Sequence, residues 1–343
     1  MENKSKYTDY HTPTAEEMFE YVKECDNRKY ELCKENGIKL IYYKQNKLPN
    51  WIINKEDYFS RSKLLIEYIK IMEIYKDINI YNEDCRDTMQ RMKEEGVKVD
   101  LTVTSCPYDN LRSYHNFSTW NFDIFKEIAQ LLYDVTADGG IVVWVVGDAT
   151  INGSETGTSF RQALYFMECG FKLHDTMLFE KNSSSFTAKR TGNRYTQIFE
   201  YMFVFSKGKP KTAHLICDKE NKWKNFTNWG KNTNYNKNGE LIQTNDIKPV
   251  PEFSPRNNIW KYTVGGGFAT KDKIASKHPA IFPEKLAEDH ILSWSNVGDT
   301  VMDIFCGSGT TLKMSMLNNR NYIGFDISEE YCKLSEERLN LYR

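Results

Sequence analysis

The stretch TSCPYDNLRSY carries side chains able to do chemistry at four consecutive positions: Ser105, Cys106, Pro107 and Tyr108. It follows the strand-like run 97–103 directly. Cys106 beside Pro107 suggests a nucleophile. The same residues also fit a polar turn at the end of a strand, and the stretch by itself leaves both interpretations open.

A second candidate site is the glycine loop DIFCGSGTT, 303–311, between a predicted strand and a predicted helix. Its glycines let the backbone approach a ligand at the positive end of the helix. Leu312 stands where a dinucleotide fingerprint needs its third glycine, and no Lys-Ser/Thr pair follows as in a P-loop. Asp326 ends the next strand, where a carboxylate can accept both hydroxyls of a ribose. The loop therefore fits S-adenosylmethionine, and a plain glycine turn in another doubly wound protein is the alternative.

The elements that position these residues alternate between strands and helices. Strands are predicted at 77–84, 97–104, 141–148, 171–181 and 197–209, and helices at 86–96, 122–140 and 159–170. This alternation with short joins predicts an α/β fold, a Rossmann-like doubly wound sheet that is mostly parallel and covered on both faces. Residues 1–76 are predicted to form a helical N-terminal extension.

The segment 207–249 interrupts the alternation and is basic, with nine lysines against four acidic residues. Four aromatic residues and many asparagines lie among the lysines, which suits contacts with phosphates and base edges. A solvated, lysine-rich loop is the alternative. The net charge of the whole chain, −1, argues neither for nor against nucleic acid.

Length and composition limit the number of domains and the broad class of protein. A chain of 343 residues with 40% apolar residues can bury one large domain, or a domain with an insertion. The polar N-terminus does not resemble a signal peptide, and no apolar run is long enough to span a bilayer. Eight cysteines without a CxxC pair predict reduced thiols in a cytoplasmic protein without a metal site.

The glycine loop lies unusually late, with 34 residues after Gly309, so the other strands must precede it and the order is circularly permuted. The combination of KHPAIFPEKLAEDHI, DIFCGSGTT and YIGFDIS with an upstream TSCPY resembles the beta class of DNA amino-methyltransferases over about residues 77–340. The resemblance implies a permuted class I methyltransferase fold. Its catalytic half would be 77–206, its target-recognition insert 207–270, and its cofactor half 271–343.

The resemblance also implies a site for S-adenosylmethionine. The loop would surround the methionine part, Asp326 would hold the ribose, and the turn at 84–85 would meet the adenine ring. The segment 277–280 would close over the cofactor. The implied cofactor residues are Asp84, Cys85, Lys277, His278, Pro279, Ala280, Asp303, Phe305, Gly307, Ser308, Gly309, Thr310 and Asp326.

In this family the tetrad binds a base that has been flipped out of the duplex. By resemblance, Ser105 Oγ and a backbone carbonyl at Cys106 or Pro107 would hold the hydrogens of an exocyclic amine. Tyr108 would stack on the base, an interaction worth roughly 1–3 kcal/mol. Cys106 replaces the first proline of the family pattern, and the chemistry needs no covalent cysteine. Phe203 and Phe205 would either meet the other face of the base or belong to a core strand.

The implied function is a site-specific DNA methyltransferase acting on double-stranded DNA. Serine at the first tetrad position favours N4 of cytosine, with N6 of adenine as the alternative. Methylation of RNA or a protein amide, and an inactive DNA-binding scaffold, are further alternatives. A homodimer and a prokaryotic or phage origin are compatible with the sequence. The predicted DNA-binding residues are Arg112, Lys181, Lys189, Arg190, Arg194, Lys222, Lys224 and Lys231.

Overall fold

The structure is a computed structural model that describes residues 80–108, 120–182, 194–227, 232–244, 249–265 and 267–343. The predicted extension at 1–76 therefore lies outside the described residues. The helices are α1 Cys85–Glu94, α2 Phe122–Val135, α3 Thr158–Glu168, α4 Glu284–Trp294, α5 Thr310–Leu317 and α6 Glu329–Asn340, with a 3-10 helix at Lys273–Lys277.

Eight described strands form one sheet. They are β1 Ile80–Asn82, β2 Val99–Ser105, β3 Thr136–Val146, β6 Lys172–Lys181, β7 Phe199–Ser206, β12 Ile259–Tyr262, β13 Thr300–Asp303 and β14 Asn321–Asp326. Three two-stranded ribbons pair β4 Thr150–Ile151 with β5 Ser154–Glu155, β8 Lys219–Glu220 with β11 Phe253–Ser254, and β9 Asn232–Tyr235 with β10 Leu241–Thr244.

The sheet has the order β1-β14-β13-β2-β3-β7-β6-β12. Strand β7 runs antiparallel to both of its neighbours, whereas the other neighbouring pairs are parallel. This confirms the prediction of a mostly parallel, doubly wound sheet.

Strands β13 and β2 are neighbours at the centre of the sheet, where Val301 pairs with Leu101. From β13 the chain moves to one side through β14, and from β2 it moves to the other side through β3. The carboxyl ends of two such strands border the crevice where open α/β sheets bind ligands. The permuted order therefore brings the glycine loop and the tetrad to one place.

The helix predicted at 122–140 is shorter than the sequence indicated. It ends at Val135, and Thr136 adopts an extended backbone and begins β3 by pairing with Val99. Gly139 has φ +75° close to a shift in the β2–β3 register. The two glycines therefore lie in the irregular first part of β3 and do not end the helix. The helix has already ended before them, because the β-branched Thr136 adopts an extended backbone.

Apolar layers cover both faces of the sheet. On one face, Trp144 and Phe166 are buried together with Phe125 of α2. On the other face, Met202 and Ile291 belong to a cluster that includes residues of α4. Within the described residues, no helix combines the length and apolar character that a membrane span requires.

The predicted insert 207–270 returns to the sheet before its predicted end. Strand β12 pairs in parallel with β6 and buries Trp260 and Tyr262. Just before it, Arg256 Nη1 lies 2.8 Å from Asp289 of α4. This edge strand was not predicted from the sequence, because four residues with two buried aromatics do not stand out in an aromatic-rich segment.

Candidate active site

A cavity of about 620 Å³ opens at the carboxyl ends of β2 and β13, a size typical of ligand sites. Most of the predicted catalytic and cofactor residues line it: Asp84, Cys85, Ser105, Pro107, Tyr108, His278, Pro279, Ala280, Asp303, Phe305, Gly307, Ser308, Thr310 and Asp326. Cys106, Lys277 and Gly309 do not. The folded chain therefore brings the two candidate sites into one cavity.

The glycine loop depends on two residues with positive φ, +50° at Gly307 and +72° at Gly309. A β-carbon on Gly307 would lie 2.8 Å from Nε2 of His278, and one on Gly309 would lie 2.8 Å from Oγ of Ser335. Ser335 Oγ also donates to the carbonyl of Gly307 at 2.7 Å. The loop is thus packed so closely that only glycine fits, although Gly309 serves this packing without lining the cavity.

Asp326 lies where a ribose-binding carboxylate is needed. Its Oδ2 accepts from the backbone N–H of Gly307 and its Oδ1 from that of Ser328, both at 2.9 Å. Each carboxylate oxygen has a second acceptor site, so two hydroxyls can still be bound. Burial raises the pKa of Asp326, while the two backbone hydrogen bonds oppose that shift.

Asp303 joins the strands at the centre of the site. Its Oδ1 accepts from Thr104 Oγ1 at 2.7 Å and from the backbone N–H of Phe305 at 3.1 Å. Burial raises the pKa of Asp303 from its ordinary 3.8 to about 6. This carboxylate therefore fixes the start of the glycine loop to the strand that carries the tetrad.

The pKa of Asp303 predicts how the stability of the ligand-free protein depends on pH. The folded protein holds the Asp303 proton more tightly than the unfolded chain, so the contribution of this group is complete below pH about 3.8 and is lost as the pH rises through about 6. We expect Asp303→Asn to remove that loss. Urea unfolding at several pH values between 3.5 and 8, ~0.5 apart, would measure both proteins. A difference in unfolding free energy that stays constant with pH would contradict the assignment.

Apolar residues complete the wall near the loop. Trp120 meets Phe305 edge to face at 5.6 Å between ring centroids, and both line the cavity with Ile327. This apolar surface fits the adenine ring of S-adenosylmethionine, and the spare acceptor sites of Asp326 fit its ribose. Together with the glycine loop, the site therefore fits this cofactor. Lining residues that the sequence analysis missed include Glu83, Arg86, Trp120, Ile124, Ile128, Glu200, Ile327 and Tyr331.

The turn before α1 forms one end of the cavity. Asp84 caps the helix by accepting from the backbone N–H of Arg86 at 2.9 Å, and the Arg86 guanidinium bonds the same carboxylate. Burial alone would raise the pKa of Asp84, but these bonds to Arg86 lower it below its ordinary value. Burial raises the pKa of the Cys85 thiol strongly, so Cys85 presents an apolar surface.

The segment after the 3-10 helix closes the cavity above the loop. Nδ1 of His278 accepts from the backbone N–H of Ala280 at 3.1 Å, and its ring meets Tyr331 at 4.4 Å between centroids. The same ring lies against Gly307. His278 is thus held on three sides, while Lys277 at the end of the 3-10 helix stays out of the lining.

The tetrad presents two hydroxyls to the cavity and turns its thiol away. Ser105 Oγ lies 3.1 Å from the Tyr108 hydroxyl, which donates to Glu200 Oε2 at 2.9 Å. Burial, followed by the charge of Glu200, raises the pKa of Tyr108 well above its ordinary value. Cys106 is 2% exposed, with its thiol facing the backbone of Val145 inside the core. The structure therefore places Cys106 as a packing residue and not as a nucleophile.

The predicted DNA-binding residues differ in position: one lines the cavity, three lie in described parts of the surface, and four lie outside the described residues. Lys181 lines the cavity and pairs with Glu200, which places it beside the tetrad. Lys224 pairs with Glu252 at 2.9 Å on the surface, Lys222 is exposed, and Arg194 lies 3.7 Å from Glu155. Arg112, Lys189, Arg190 and Lys231 lie outside the described residues.

Phe203 and Phe205 belong to the core. They are 3% and 0% exposed, and the Phe205 ring packs on Phe166 of α3 at 4.6 Å between centroids. They share one face of β7, as alternate residues must. Since neither lines the cavity, the core-strand alternative is the correct one for both.

A buried ionic network lies behind the glycine loop. Arg338, 0% exposed at its side chain, bonds Asp272 at 2.7 Å and Glu284 at 2.6 Å. Its Nη1 also donates to the carbonyl of Ser308 at 2.8 Å. Lys313 pairs with the same two carboxylates. The network thus ties the loop to the segment that carries His278. In the described part of the chain, no cluster of three or more His, Cys, Asp or Glu could hold a metal ion.

Relatives of this chain include named methyltransferases. The chain is 59% identical over 244 residues to the orphan methyltransferase M.BamHII of Bacillus amyloliquefaciens, covering 71% of this chain and 89% of that protein. It is 25% identical over 293 residues to the type II methyltransferase M.SmaI of Serratia marcescens, covering 75% and 88%.

A solved structure has the same fold. The PvuII DNA methyltransferase (cytosine-N4-specific) superposes with a TM-score of 0.53 at 20% identity, covering 76% of this chain and 85% of that chain. The sequence pattern of the DNA methylase family N6_N4_Mtase matches residues 99–337, which include the tetrad, the glycine loop and Asp326. The chain belongs to the N6_N4_Mtase family of DNA methylases.

Proposed function

We propose that this DNA methyltransferase modifies N4 of cytosine, on a base flipped out of the duplex into the cavity. The observation that carries the proposal is the hydroxyl of Ser105 at the first tetrad position, inside the same cavity as the cofactor residues. In the family resemblance a serine here favours cytosine, whereas an aspartate favours adenine. When bound, S-adenosylmethionine supplies an electrophilic methyl group.

The tetrad prepares the base for this transfer. An exocyclic amine is a weak nucleophile because its lone pair is delocalised into the ring. Ser105 Oγ accepts one amine hydrogen and a carbonyl at Cys106 or Pro107 accepts the other, so that the lone pair turns toward the methyl donor. The Tyr108 ring stacks on the base and offsets part of the few kcal/mol that flipping costs. Holding the amine in line with the methyl group supplies much of the rate.

We further propose that the insert 207–270 contacts the DNA. Its described part exposes Trp223 and Phe253, with Lys222 and Lys237 on the surface. Some other lysines of the segment have structural partners, and Lys211, for example, pairs with Asp100. Exposed aromatics and amides beside free-standing lysines support both phosphate and base-edge contacts.

Nucleoside mass spectrometry tests the proposed base. We would incubate the purified protein with labelled S-adenosylmethionine and unmethylated bacterial DNA, digest the DNA, and identify the labelled nucleoside. We expect N4-methylcytosine. Label on N6-methyladenine would keep the mechanism and overturn the base assignment. No label in DNA, with cofactor binding intact, would favour the RNA, protein-amide or scaffold alternatives.

A further inference from the structure

We propose that Glu200 is the terminal acceptor for the proton that the amine releases, which reaches it through Ser105 and Tyr108. The inference rests on the amino-methylation proposed above. It assigns a role to a strand residue that lies 92 positions from Tyr108 in the sequence. This role is supported by a continuous hydrogen-bond chain, by the surroundings of the carboxylate, and by the need to remove one proton in each turnover.

The chain of hydrogen bonds begins in the cavity. Ser105 Oγ lies 3.1 Å from the hydroxyl of Tyr108, and that hydroxyl lies 2.9 Å from Glu200 Oε2. All three residues line the cavity. Both distances are within the range in which a proton can be handed between oxygen atoms. Thus a proton accepted by Ser105 has a direct path to a carboxylate.

The carboxylate is held in place by its strand and by Lys181. Glu200 lies opposite Phe179 in the β6–β7 register, so it faces the cavity with Phe179 and with Lys181 two residues further on. Its side chain is 13% exposed, and Lys181 bonds Oε1 and leaves Oε2 to Tyr108. The pair is therefore oriented, with one oxygen on the ammonium group and the other on the tetrad.

The proton balance requires such an acceptor. The amine nitrogen forms a bond to the methyl carbon while the S–CH3 bond breaks, and that electron pair stays on sulfur. The nitrogen then carries a positive charge and must lose one proton. Ser105 Oγ takes it while the serine hydroxyl proton passes to Tyr108 and the phenol proton passes to Glu200. Serine and tyrosine end neutral, and Glu200 ends with one added proton.

The other described carboxylates of the cavity have different partners. Glu83 is bound by Arg91 and Asp84 by Arg86. Asp303 is bound by Thr104, and Asp326 by the backbone of the glycine loop. Their hydrogen bonds lie on the cofactor side of the cavity. Because desolvation and the charge of Glu200 raise the pKa of Tyr108 well above its ordinary value, the phenol can pass a proton on but does not itself keep a negative charge. Glu200 is therefore the carboxylate that suits this task.

The test is the rate of methyl transfer in a single turnover, with labelled S-adenosylmethionine and unmethylated bacterial DNA. Glu200→Gln keeps the size of the side chain and removes its ability to accept the proton. We expect the rate to fall about 100-fold, the lower end for general acid–base catalysis, with affinities for cofactor and DNA unchanged. Cofactor affinity is read independently from tryptophan fluorescence, since Trp120 lines the cavity.

Glu180→Gln is the matched control. Glu180 pairs with Lys261 at 2.7 Å in the same sheet but does not line the cavity. It should transfer the methyl group at the rate of the unaltered protein. Tyr108→Phe is the second variant, because it keeps the stacking ring and cuts the hydrogen-bond chain. The double variant Tyr108→Phe with Glu200→Gln should be no slower than the slower single variant, since both changes break one path.

Three results would overturn the inference, and a fourth would overturn the proposed function as well. A Glu200→Gln protein with an unaltered rate, or losses that multiply in the double variant, would exclude the proton path while leaving DNA methylation intact. Loss of cofactor affinity in Glu200→Gln equal to the loss of rate would make Glu200 a structural residue. No methylation of DNA by the unaltered protein would overturn the proposed function itself, before any variant is compared.

Discussion

Gly307→Ala is expected to weaken binding of S-adenosylmethionine by at least ~30-fold. At φ +50° a β-carbon costs about 1–2 kcal/mol, and here it would also lie 2.8 Å from His278 Nε2. Overpacking a tight contact costs about 1–3 kcal/mol more, and His278 belongs to the segment that closes the cavity. Either the loop or the ring must shift, and both line the cofactor site. Isothermal titration with S-adenosylmethionine would measure the effect.

Gly96→Ala separates the collision from the backbone strain. Gly96 also has a positive φ, +73°, but a β-carbon there would meet nothing within 4 Å. This variant should lose about 1–2 kcal/mol of stability through the backbone strain alone and bind the cofactor as the unaltered protein does. Equal losses of affinity in the two variants would show that His278 does not confine the loop.

Arg338→Leu is expected to lower the free energy of unfolding by about 3–5 kcal/mol, the range for breaking a buried ion pair. Leucine leaves Asp272 and Glu284 with Lys313 as their remaining cation in the network. It also removes the donor that holds the carbonyl of Ser308. The loss should appear in urea or thermal unfolding without cofactor, and cofactor affinity should fall as well.

Arg343→Leu provides the comparison. Arg343 bonds the hydroxyl of Tyr322 near the surface, and its loss should cost about 0.5 kcal/mol or less. Arg338→Lys keeps the charge but loses the fork that reaches several partners at once, so its stability should lie between those of the leucine variant and the unaltered protein. A leucine variant as stable as Arg343→Leu would contradict the importance of the network.

The fold and the cofactor half were predictable because their signals are local. The glycine loop, the strand-end Asp326 and the alternation of apolar runs each occupy a few consecutive residues. Two boundaries were predicted wrongly for local reasons: the end of the helix at 122–140 and the return of the insert 207–270 to the sheet. Thr136 turns into β3 before the glycines that seemed to stop the helix, and β12 is too short to be recognised inside an aromatic-rich segment.

The cavity residues beside the tetrad could not be predicted, because residues from different strands come together there only when the sheet has formed. Glu200 looks like one polar residue in an otherwise apolar strand until the β6–β7 register places it beside Lys181 and opposite Phe179. The predicted phosphate role of Lys181 arose from its charge and its position before strand β7, neither of which reveals its pairing with Glu200. Likewise, the sequence left two interpretations of Phe203 open, contact with the base or packing in a core strand. Only the face of β7 on which Phe203 lies decides in favour of the core.

The central pairing of β2 with β13 has a consequence for biosynthesis. Leu101 pairs with Val301, and Ile80 in β1 pairs with Gly324. During synthesis, the ribosome must therefore add on average more than 200 further residues before these early strands can pair. Contacts so distant in the chain make folding slow and expose unpaired strand edges meanwhile. A nascent chain shorter than about 300 residues therefore lacks its sheet centre, and ribosome stalling or truncation there should yield aggregates rather than a weakly active enzyme.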